Sequence, residues 1–380
     1  MTATIDERRA RMLLSLWSEA ADEDLVSQVR ARGPERVVNE LLSGESRLRR
    51  ARAMALRIGE ATRNIESLAA PLEERAERCG ARFIVPGDAE WPSQLDDLSD
   101  RCPLGLWVAG AANLRALAAF STAVVGARAA TPYGEAVARE LAADLAVAQW
   151  AVISGGAFGI DAAAHRGALA ADGVTVCVLA GGIDVPYPRA HESLIARVRQ
   201  QGVLVSETPM GGAPMRQRFL TRNRLIAALS RGTVVVEAAV RSGSGTTARE
   251  AHSLGRVVMA VPGPVTSMES AGCHALIRDG VAELVTGARD VLRHLDPSSI
   301  APDDPWEAGA LGPREARVLD AVPQRRPALV DRIAAVAGTT AGDALAALGQ
   351  LESEGLVIQD SRGWRRGTGA SVGLPRTMEP

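Results

Sequence analysis

Lysine is missing from this sequence altogether, so arginine supplies all 43 of its Lys+Arg residues. A P-loop kinase or ATPase needs a lysine in G-x-x-x-x-G-K-[ST] to contact the nucleotide phosphates, and that class of protein is excluded. The guanidinium is a planar, forked donor, which suits it to binding phosphate and to stacking on bases. A biased genome would produce the same composition, so the arginines alone do not establish a function.

Cysteine and histidine are scarce and scattered. The four cysteines have no paired spacing, and the five histidines form neither a two-histidine helix motif nor a cluster with cysteine. Zinc sites and disulfide frameworks both depend on such spacings. We therefore expect reduced thiols, no metal and no cofactor.

Long apolar runs are also missing. The sequence has no stretch of about 18 apolar residues, the length that crosses a membrane, and its start lacks the basic and apolar regions of a signal peptide. We expect a cytoplasmic protein with no membrane partner. The formal net charge is −2, so any binding to nucleic acid must come from a local basic patch.

Apolar strand candidates alternate with segments of helical spacing from Thr122 onward. The candidates are residues 123–125, 151–153, 175–179, 203–205, 233–236 and 257–261, with 82–86 and 106–110 leading in to them. Strands that are apolar throughout are typical of a parallel sheet covered on both faces. The pattern predicts an α/β fold with a Rossmann-like, doubly wound parallel sheet.

Small residues follow several of these strands. The turns are Gly126-Ala127-Arg128, Ser154-Gly155-Gly156, Gly181-Gly182, Ser206-Glu207, Ser242-Gly243-Ser244-Gly245 and Pro262-Gly263. In an open parallel sheet, ligands bind at the carboxyl ends of the strands, where helix N-termini and backbone N–H groups approach phosphates. Several such turns at one edge predict an anion site there.

Other segments flank this Rossmann-like domain, which we assign to residues 81–296. Residues 1–80 predict a small helical domain, SAM- or helix-hairpin-like. Its clustered arginines form either a solvated face or a DNA contact; they are Arg47, Arg49, Arg50, Arg52 and Arg57. Proline-rich residues 297–312 predict a linker.

The C-terminal part has a different pattern. Residues 313–367 predict three helices and a basic hairpin containing Arg362, Arg365 and Arg366, which is the layout of a winged helix. Such modules bind either DNA or another protein, and the sequence does not choose between them. Residues 368–380 predict a disordered tail.

Two enzymatic interpretations have little support. A dinucleotide-dependent oxidoreductase needs G-x-G-x-x-G in the first turn and a later acid for the ribose, and the turn from Gly126 to Thr131 lacks this spacing. A hydrolase based on Ser154, Asp161 and His165 lacks the G-x-S-x-G elbow. Asp161 and His165 are one helical turn apart, so we expect them to bond each other or to cap the helix.

Binding remains as the function of the predicted edge. Arginines surround two phenylalanines there; they are Arg128, Arg216, Arg218, Arg222, Arg224 and Arg241. Phosphate-binding arginines beside aromatic rings are the components of a groove for single-stranded nucleic acid. Phe158 lies in a glycine loop and is expected to be exposed, whereas Phe219 is equally consistent with core packing and with stacking.

The same turns resemble the motifs of the DNA-processing protein A family (DprA, also called Smf). The resemblance covers about Trp91 to Leu295, in order. The motifs are Gly126-Ala127-Arg128, Ile153 to Leu169 with Ser154-Gly155-Gly156-Ala157-Phe158-Gly159 at its start, Val178 to Asp184 with Tyr187-Pro188, Ser206-Glu207, Phe219-Leu220-Thr221-Arg222-Asn223-Arg224, Glu237-Ala238 with Ser242-Gly243-Ser244, and Val261-Pro262-Gly263.

The resemblance implies a non-enzymatic protein that binds single-stranded DNA. It also implies that this protein protects incoming DNA during natural transformation, loads the RecA recombinase and forms a homodimer. Arg128 would be the main phosphate ligand, Phe219 would stack, and Arg222, Asn223 and Arg224 would bind phosphate or orient the loop. The other DNA-binding residues that the resemblance implies are Gly126, Ser154, Gly155, Gly156, Phe158, Gly159, Asp161, Ser242, Gly243 and Ser244.

The sequence departs from the family pattern at Ala127, where serine is usual, and at Phe158, where a basic residue is usual. The loop Gly243-Ser244-Gly245-Thr246, followed by Glu250, also resembles nucleoside-monophosphate phosphoribohydrolases of the lysine-decarboxylase-like fold. That alternative requires Glu250 at the cleft. A third alternative is a scaffold that recruits a partner through its C-terminal module.

Overall fold

The computed structural model describes residues 5–43, 48, 65–240, 242–297, 313–323, 327–353 and 355–367. The chain divides into two compact units, Met1–Ser299 and Ile300–Pro380. Arg241, the clustered arginines from Arg47 to Arg57 and the predicted tail lie outside the described residues, as does the predicted linker except for Pro297. Among the described helices, none is long and apolar enough to cross a membrane.

One sheet forms the centre of the first unit. Its strands are β1 Ala81–Ile84, β2 Leu106–Ala109, β3 Ser121–Val125, β4 Ala151–Ser154, β5 Thr175–Leu179, β6 Val203–Ser206, β7 Gly232–Val235, β8 Val257–Ala260 and β9 Glu283–Leu284. They are arranged in the order β1-β2-β6-β5-β4-β3-β7-β8-β9. The prediction of a doubly wound sheet is confirmed, and β3 to β9 are parallel.

The first two strands differ from the predicted parallel pattern. β1 and β2 form an antiparallel pair, and β2 adds antiparallel to β6 at the edge of the sheet. They are therefore part of the main sheet and not only a lead-in to it. An antiparallel edge on an otherwise parallel sheet is common in doubly wound folds.

Twelve α-helices lie among the described residues of the first unit, and some of them cover the two faces of the sheet. They are α1 Glu7–Trp17, α2 Glu23–Arg32, α3 Pro34–Leu42, α4 Ile65–Arg78, α5 Leu114–Ala119, α6 Pro132–Val147, α7 Ile160–Ala170, α8 Glu192–Gln201, α9 Arg216–Leu229, α10 Gly243–Ser253, α11 Ala271–Arg278 and α12 Ala288–Leu295. Core residues of α5 and α9 to α11 pack on one face. Those of α6 to α8 and α12 pack on the other.

The helices of residues 5–78 are joined to this sheet region by ion pairs that include Arg8–Asp88 and Arg30–Asp100. Their own core contains Leu13, Trp17 and Leu104. They belong to the first compact unit together with the sheet. The division of the chain at residue 80 stays a prediction.

The strand order creates a switch point beside β3. The chain proceeds from β3 through β4 and β5 to β6 on one side, then crosses to β7 on the other side of β3. The loops that follow β3 and β7 therefore diverge, and a crevice opens at the carboxyl ends of these strands.

The second unit contains three helices and a hairpin. They are α13 Pro313–Ala321, α14 Val330–Ala337, α15 Ala341–Ser353, β10 Val357–Asp360 and β11 Gly363–Arg366. The two strands pair antiparallel, and Trp364 packs into the core of the helices. These elements have the predicted order, and their assignment as a winged helix stays a prediction.

Candidate functional site

A cavity of about 500 Å³ opens at the switch point, between the loops after β3 and β4 and the first turns of α9 and α10. We call it the switch-point cavity. Nine of the residues predicted to bind DNA line it: Gly126, Arg128, Asp161, Phe219, Arg222, Asn223, Ser242, Gly243 and Ser244. The fold thus brings together segments that are more than 100 residues apart in the sequence.

Arg128 and Phe219 form the exposed part of the cavity wall. The Arg128 guanidinium lies 5.0 Å from the centre of the Phe219 ring, and Tyr187 contacts the same ring with a centroid distance of 5.6 Å. Phe219 is partly buried, so it combines packing with an accessible face. Arg128 is exposed, and no described carboxylate lies within ion-pair distance of it. Its charge is therefore available to a phosphate.

The N-terminus of α10 forms the opposite wall. Ser242 caps this helix, and its Oγ accepts a hydrogen bond from the Gly245 N–H at 3.2 Å. Asn223 Nδ2 donates to the Gly243 carbonyl at 3.3 Å, which ties α9 to the start of α10. The free N–H groups and the dipole of a helix N-terminus favour a bound anion. The backbone of this helix N-terminus thus contributes positive electrostatic potential to the cavity without a basic side chain.

Arg222 has a different environment from Arg128. Only 5% of it is exposed, and its Nη1 donates to the carbonyls of Gly155, at 2.7 Å, and of Val178. Burial lowers the pKa of Arg222 below its ordinary value. Of the two roles predicted for Arg222, these contacts fit orientation of the loop after β4.

Asp161 holds the same loop from the other side. Its carboxylate accepts hydrogen bonds from the N–H groups of Gly155, at 3.2 Å, and Ala157, at 3.4 Å. Burial raises the pKa of Asp161, although the nearby Arg222 and these donors act in the opposite direction. The two buried side chains together shape the loop that reaches the cavity.

Arg224 and Arg218 do not line the cavity, contrary to prediction. Arg224 is 1% exposed and pairs with Glu207 at 2.8 Å. Arg218 pairs with Glu19 at 3.1 Å. Successive helix residues are separated by about 100° around the axis, so Arg222 and Arg224 point to nearly opposite sides of α9. The structure therefore gives Arg224 a role in the core.

The loop after β4 lies behind the cavity wall and supports it. Ser154 is fully buried, and its Oγ donates to the Val124 carbonyl at 2.7 Å. Gly159 has φ +73°, and a Cβ there would lie 2.2 Å from the Ala127 carbonyl oxygen. Ser154, Gly155, Gly156 and Gly159 are thus support residues and do not line the cavity.

Phe158 is exposed, as predicted, with 48% of its surface accessible. Its ring lies against His191 with a centroid distance of 4.6 Å, and His191 Nδ1 is 3.1 Å from the Gly156 carbonyl oxygen. Phe158 lies outside the cavity lining, next to the lining residue Ala157. It therefore presents an exposed aromatic ring on the loop after β4, outside the cavity.

The geometry supports neither a hydrolase based on Ser154, Asp161 and His165 nor a phosphoribohydrolase that uses Glu250. His165 Nδ1 lies 2.8 Å from Thr175 Oγ1, and burial lowers its pKa to about 3. Asp161 accepts from loop amides and His165 contacts Thr175, so the first of the two predicted arrangements, a bond between Asp161 and His165, is not formed. Both carboxylate oxygens of Glu250 pair with Arg101, and Glu250 does not line the cavity.

Sequence reasoning missed Tyr187 as a site residue, although the motif containing it was recognised. Tyr187 is 47% exposed and lines the cavity beside Phe219. Its only signal in the sequence is its position in the loop that follows the glycine turn after β5. The loop path that carries it to α9 depends on the folded structure.

A doubly wound sheet with arginine, aromatic rings and a helix N-terminus at its switch point defines a Rossmann-like protein with a cavity suited to an anion. The sequence profile of the family described as DNA recombination-mediator protein A matches residues 82–296. A Mycobacterium tuberculosis relative, provisionally named DNA processing protein DprA, is 46% identical over 372 residues, which is 94% of each chain. This chain belongs to the DNA recombination-mediator protein A family.

Solved structures agree with this assignment. The X-ray structure of DNA processing protein A from Streptococcus pneumoniae aligns with a TM-score of 0.62 at 28% identity, over 77% of this chain and 99% of that one. DNA processing protein A from Helicobacter pylori aligns with a TM-score of 0.51 at 28% identity, over 56% of this chain and 95% of that one. The Helicobacter structure is described as revealing a single-stranded DNA binding mode.

Proposed function

We propose that this protein binds single-stranded DNA at the switch-point cavity and acts as a non-enzymatic mediator of recombination. The observation that carries the proposal is the exposed Arg128 beside the Phe219–Tyr187 ring pair, opposite the N-terminus of α10. A guanidinium and helix N–H groups bind phosphate, while aromatic rings accept unpaired bases.

Single-stranded DNA fits this site better than a duplex does. Stacking on Phe219 or Tyr187 requires a base whose face is free, and the bases of a duplex are already stacked. Backbone N–H groups and arginines contact phosphates and carry no base code, so we expect little sequence preference. The single-strand binding described for the Helicobacter relative supports the same choice.

We also propose that the protein protects incoming DNA during natural transformation, loads RecA onto it and acts as a homodimer. Membership of a family of recombination mediators supports this proposal. Loading is tested by RecA ATPase activity on DNA precoated with single-strand binding protein, which should rise when this protein is added. Sedimentation velocity tests the dimer, and a monomer at all concentrations would contradict it.

Ultraviolet crosslinking to an oligothymidine strand, followed by peptide mass spectrometry, tests where DNA binds. Crosslinks should occur in the peptides that contain Tyr187 and Phe219. They should weaken in Arg128→Ala and persist in Arg199→Ala. Arg199 is an exposed arginine in the last turn of α8, at the opposite edge of the sheet. Crosslinks confined to residues 313–367 would contradict the proposal.

The C-terminal unit is proposed to be a winged helix that binds DNA or a protein. Arg362 is largely exposed on its hairpin, whereas Arg366 is held by the Leu319 carbonyl and Asp320. Deletion of residues 305–380 distinguishes the proposed site from a scaffold role. Retained affinity for single-stranded DNA supports binding at the cavity, whereas complete loss of affinity would place DNA binding in the C-terminal unit and contradict the cavity site.

A further inference from the structure

Glu237 is a buried carboxylate that the sequence analysis did not assign to the site. It lies two residues beyond the end of β7, across the switch point from β3, and is 1% exposed. Its backbone oxygen accepts a hydrogen bond from the Ala127 N–H at 2.7 Å. Its carboxylate accepts from the Thr131 N–H at 2.9 Å and from the Thr131 hydroxyl at 2.6 Å.

These contacts hold both ends of the short loop that carries Arg128. The loop, residues 126–131, is also confined on its other side, because a Cβ at Gly126 would lie 2.4 Å from Ile160 and 2.9 Å from the Glu237 carbonyl oxygen. The backbone that carries Arg128 is thus fixed between β7 and α7. The Arg128 side chain itself extends to the cavity and is held by no carboxylate among the described residues.

The Glu237 carboxylate also covers the first turn of α6. A Cβ at Gly134 would lie 2.2 Å from Glu237 Oε2, so the carboxylate is packed directly on this turn. In a dinucleotide-binding Rossmann fold, the helix after the first strand binds the pyrophosphate at its N-terminus. Here the Glu237 carboxylate occupies the corresponding position, and the cavity is lined instead by the first turns of α9 and α10.

We propose that Glu237 is a positioning residue for Arg128. It clamps the 126–131 loop so that Arg128 is presented to a phosphate held at α10, and its charge keeps that phosphate away from α6. The functional part of this inference rests on the proposed binding of single-stranded DNA, whereas the clamp itself does not.

Glu237→Gln is the variant that tests the clamp. Glutamine has nearly the same shape but offers one carbonyl oxygen where the carboxylate offers two, so one Thr131 donor loses its acceptor. Glu90→Gln is the matched control. The Glu90 carboxylate accepts from the Leu114 N–H at the start of α5 and pairs with Arg82, away from the cavity.

Hydrogen exchange of the DNA-free protein gives the first readout. Amides of residues 126–131 should exchange at least about 5-fold faster in Glu237→Gln than in the wild type or in Glu90→Gln. Unchanged exchange in this loop would overturn the proposal, whatever the protein binds. If Glu237→Gln does not fold, Thr131→Val replaces it and should accelerate exchange of the same amides. Thr131→Ser keeps the hydroxyl and should exchange at the wild-type rate.

A double-mutant cycle with Arg128→Ala gives the second readout. Arg128→Ala should reduce affinity for single-stranded DNA about 10-fold in the wild type but less than about 2-fold in Glu237→Gln, because the arginine is already misplaced there. Equal losses in both backgrounds would show independent residues and would overturn the positioning role. If Arg128→Ala does not change the affinity of the otherwise wild-type protein, the proposed DNA site is contradicted. The hydrogen-exchange measurement would still test the clamp in that case.

Discussion

Arg128 and Arg222 lie near the same phenylalanine, yet their substitution should affect stability and the salt dependence of binding differently. Their guanidinium carbons are 5.0 Å and 6.0 Å from the centre of the Phe219 ring. Arg128→Ala removes an exposed charge without a buried partner, so we expect stability to change by less than about 0.5 kcal/mol. Arg222→Ala leaves two carbonyl groups and Asp161 without a buried cation, and the expected loss of stability is about 3 kcal/mol or more.

The salt dependence of binding separates the two arginines further. Each phosphate contact to single-stranded DNA contributes about −0.7 to the slope of log K against log salt. Losing the Arg128 contact should flatten the slope by this amount. The ratio of wild-type affinity to Arg128→Ala affinity should therefore fall by about 2.6-fold as salt rises from roughly 50 to 200 mM. Arg222→Ala should reduce affinity through the misplaced loop and leave the slope unchanged.

Urea denaturation and fluorescence anisotropy of a labelled oligonucleotide measure the two effects. Arg199→Ala controls for the loss of one positive charge and should change neither quantity. Two results would refute the reasoning: a slope change for Arg222→Ala equal to that for Arg128→Ala, or a stability of Arg222→Ala within about 0.5 kcal/mol of the wild type. The first result would mean that Arg222 contacts phosphate, and the second would mean that its buried contacts do not stabilise the fold.

Three further substitutions test the environment of the cavity. Gly155→Ala should destabilise the protein by about 2 kcal/mol in urea, because its Cβ would lie 2.1 Å from Arg222 Nη1; unchanged stability would contradict this packing. Tyr187→Leu should weaken binding about 5-fold at every salt concentration, since a stacking surface is lost; a changed salt slope or undiminished affinity would oppose a stacking role. His165 has a pKa of about 3 in the folded protein against 6.5 when unfolded, so the unfolded state gains the proton first as pH falls. Lowering the pH from 7.5 to 5.5 should therefore cost the wild type about 1.4 kcal/mol more stability than His165→Gln, and equal losses would argue against a buried neutral imidazole.

The sheet was predictable because its central strands are buried on both faces. In the run 175–179 only the buried Thr175 is polar, and the strand found there has the predicted bounds. The turns were predictable because glycine and serine mark strand ends. The antiparallel addition of β1 and β2 could not be predicted, since a short apolar strand has the same pattern in either direction.

The individual roles of the site residues depend on burial, which the sequence does not encode locally. Arg222 and Arg224 belong to one motif, but the first holds a loop and the second pairs with Glu207 in the core. Glu237 was given no role from the sequence, because its contacts with Thr131 join segments 106 residues apart. The assignment of the cavity residues to DNA binding stays a prediction.

Fluorescence anisotropy with single-stranded and duplex oligonucleotides of the same length, over a salt series, tests the central claim most directly. The account predicts tighter binding to the single strand, with an affinity that falls as salt increases and a salt slope that Arg128→Ala reduces. Absence of single-strand binding at low salt, or equal binding to the duplex with no effect of Arg128→Ala, would contradict it.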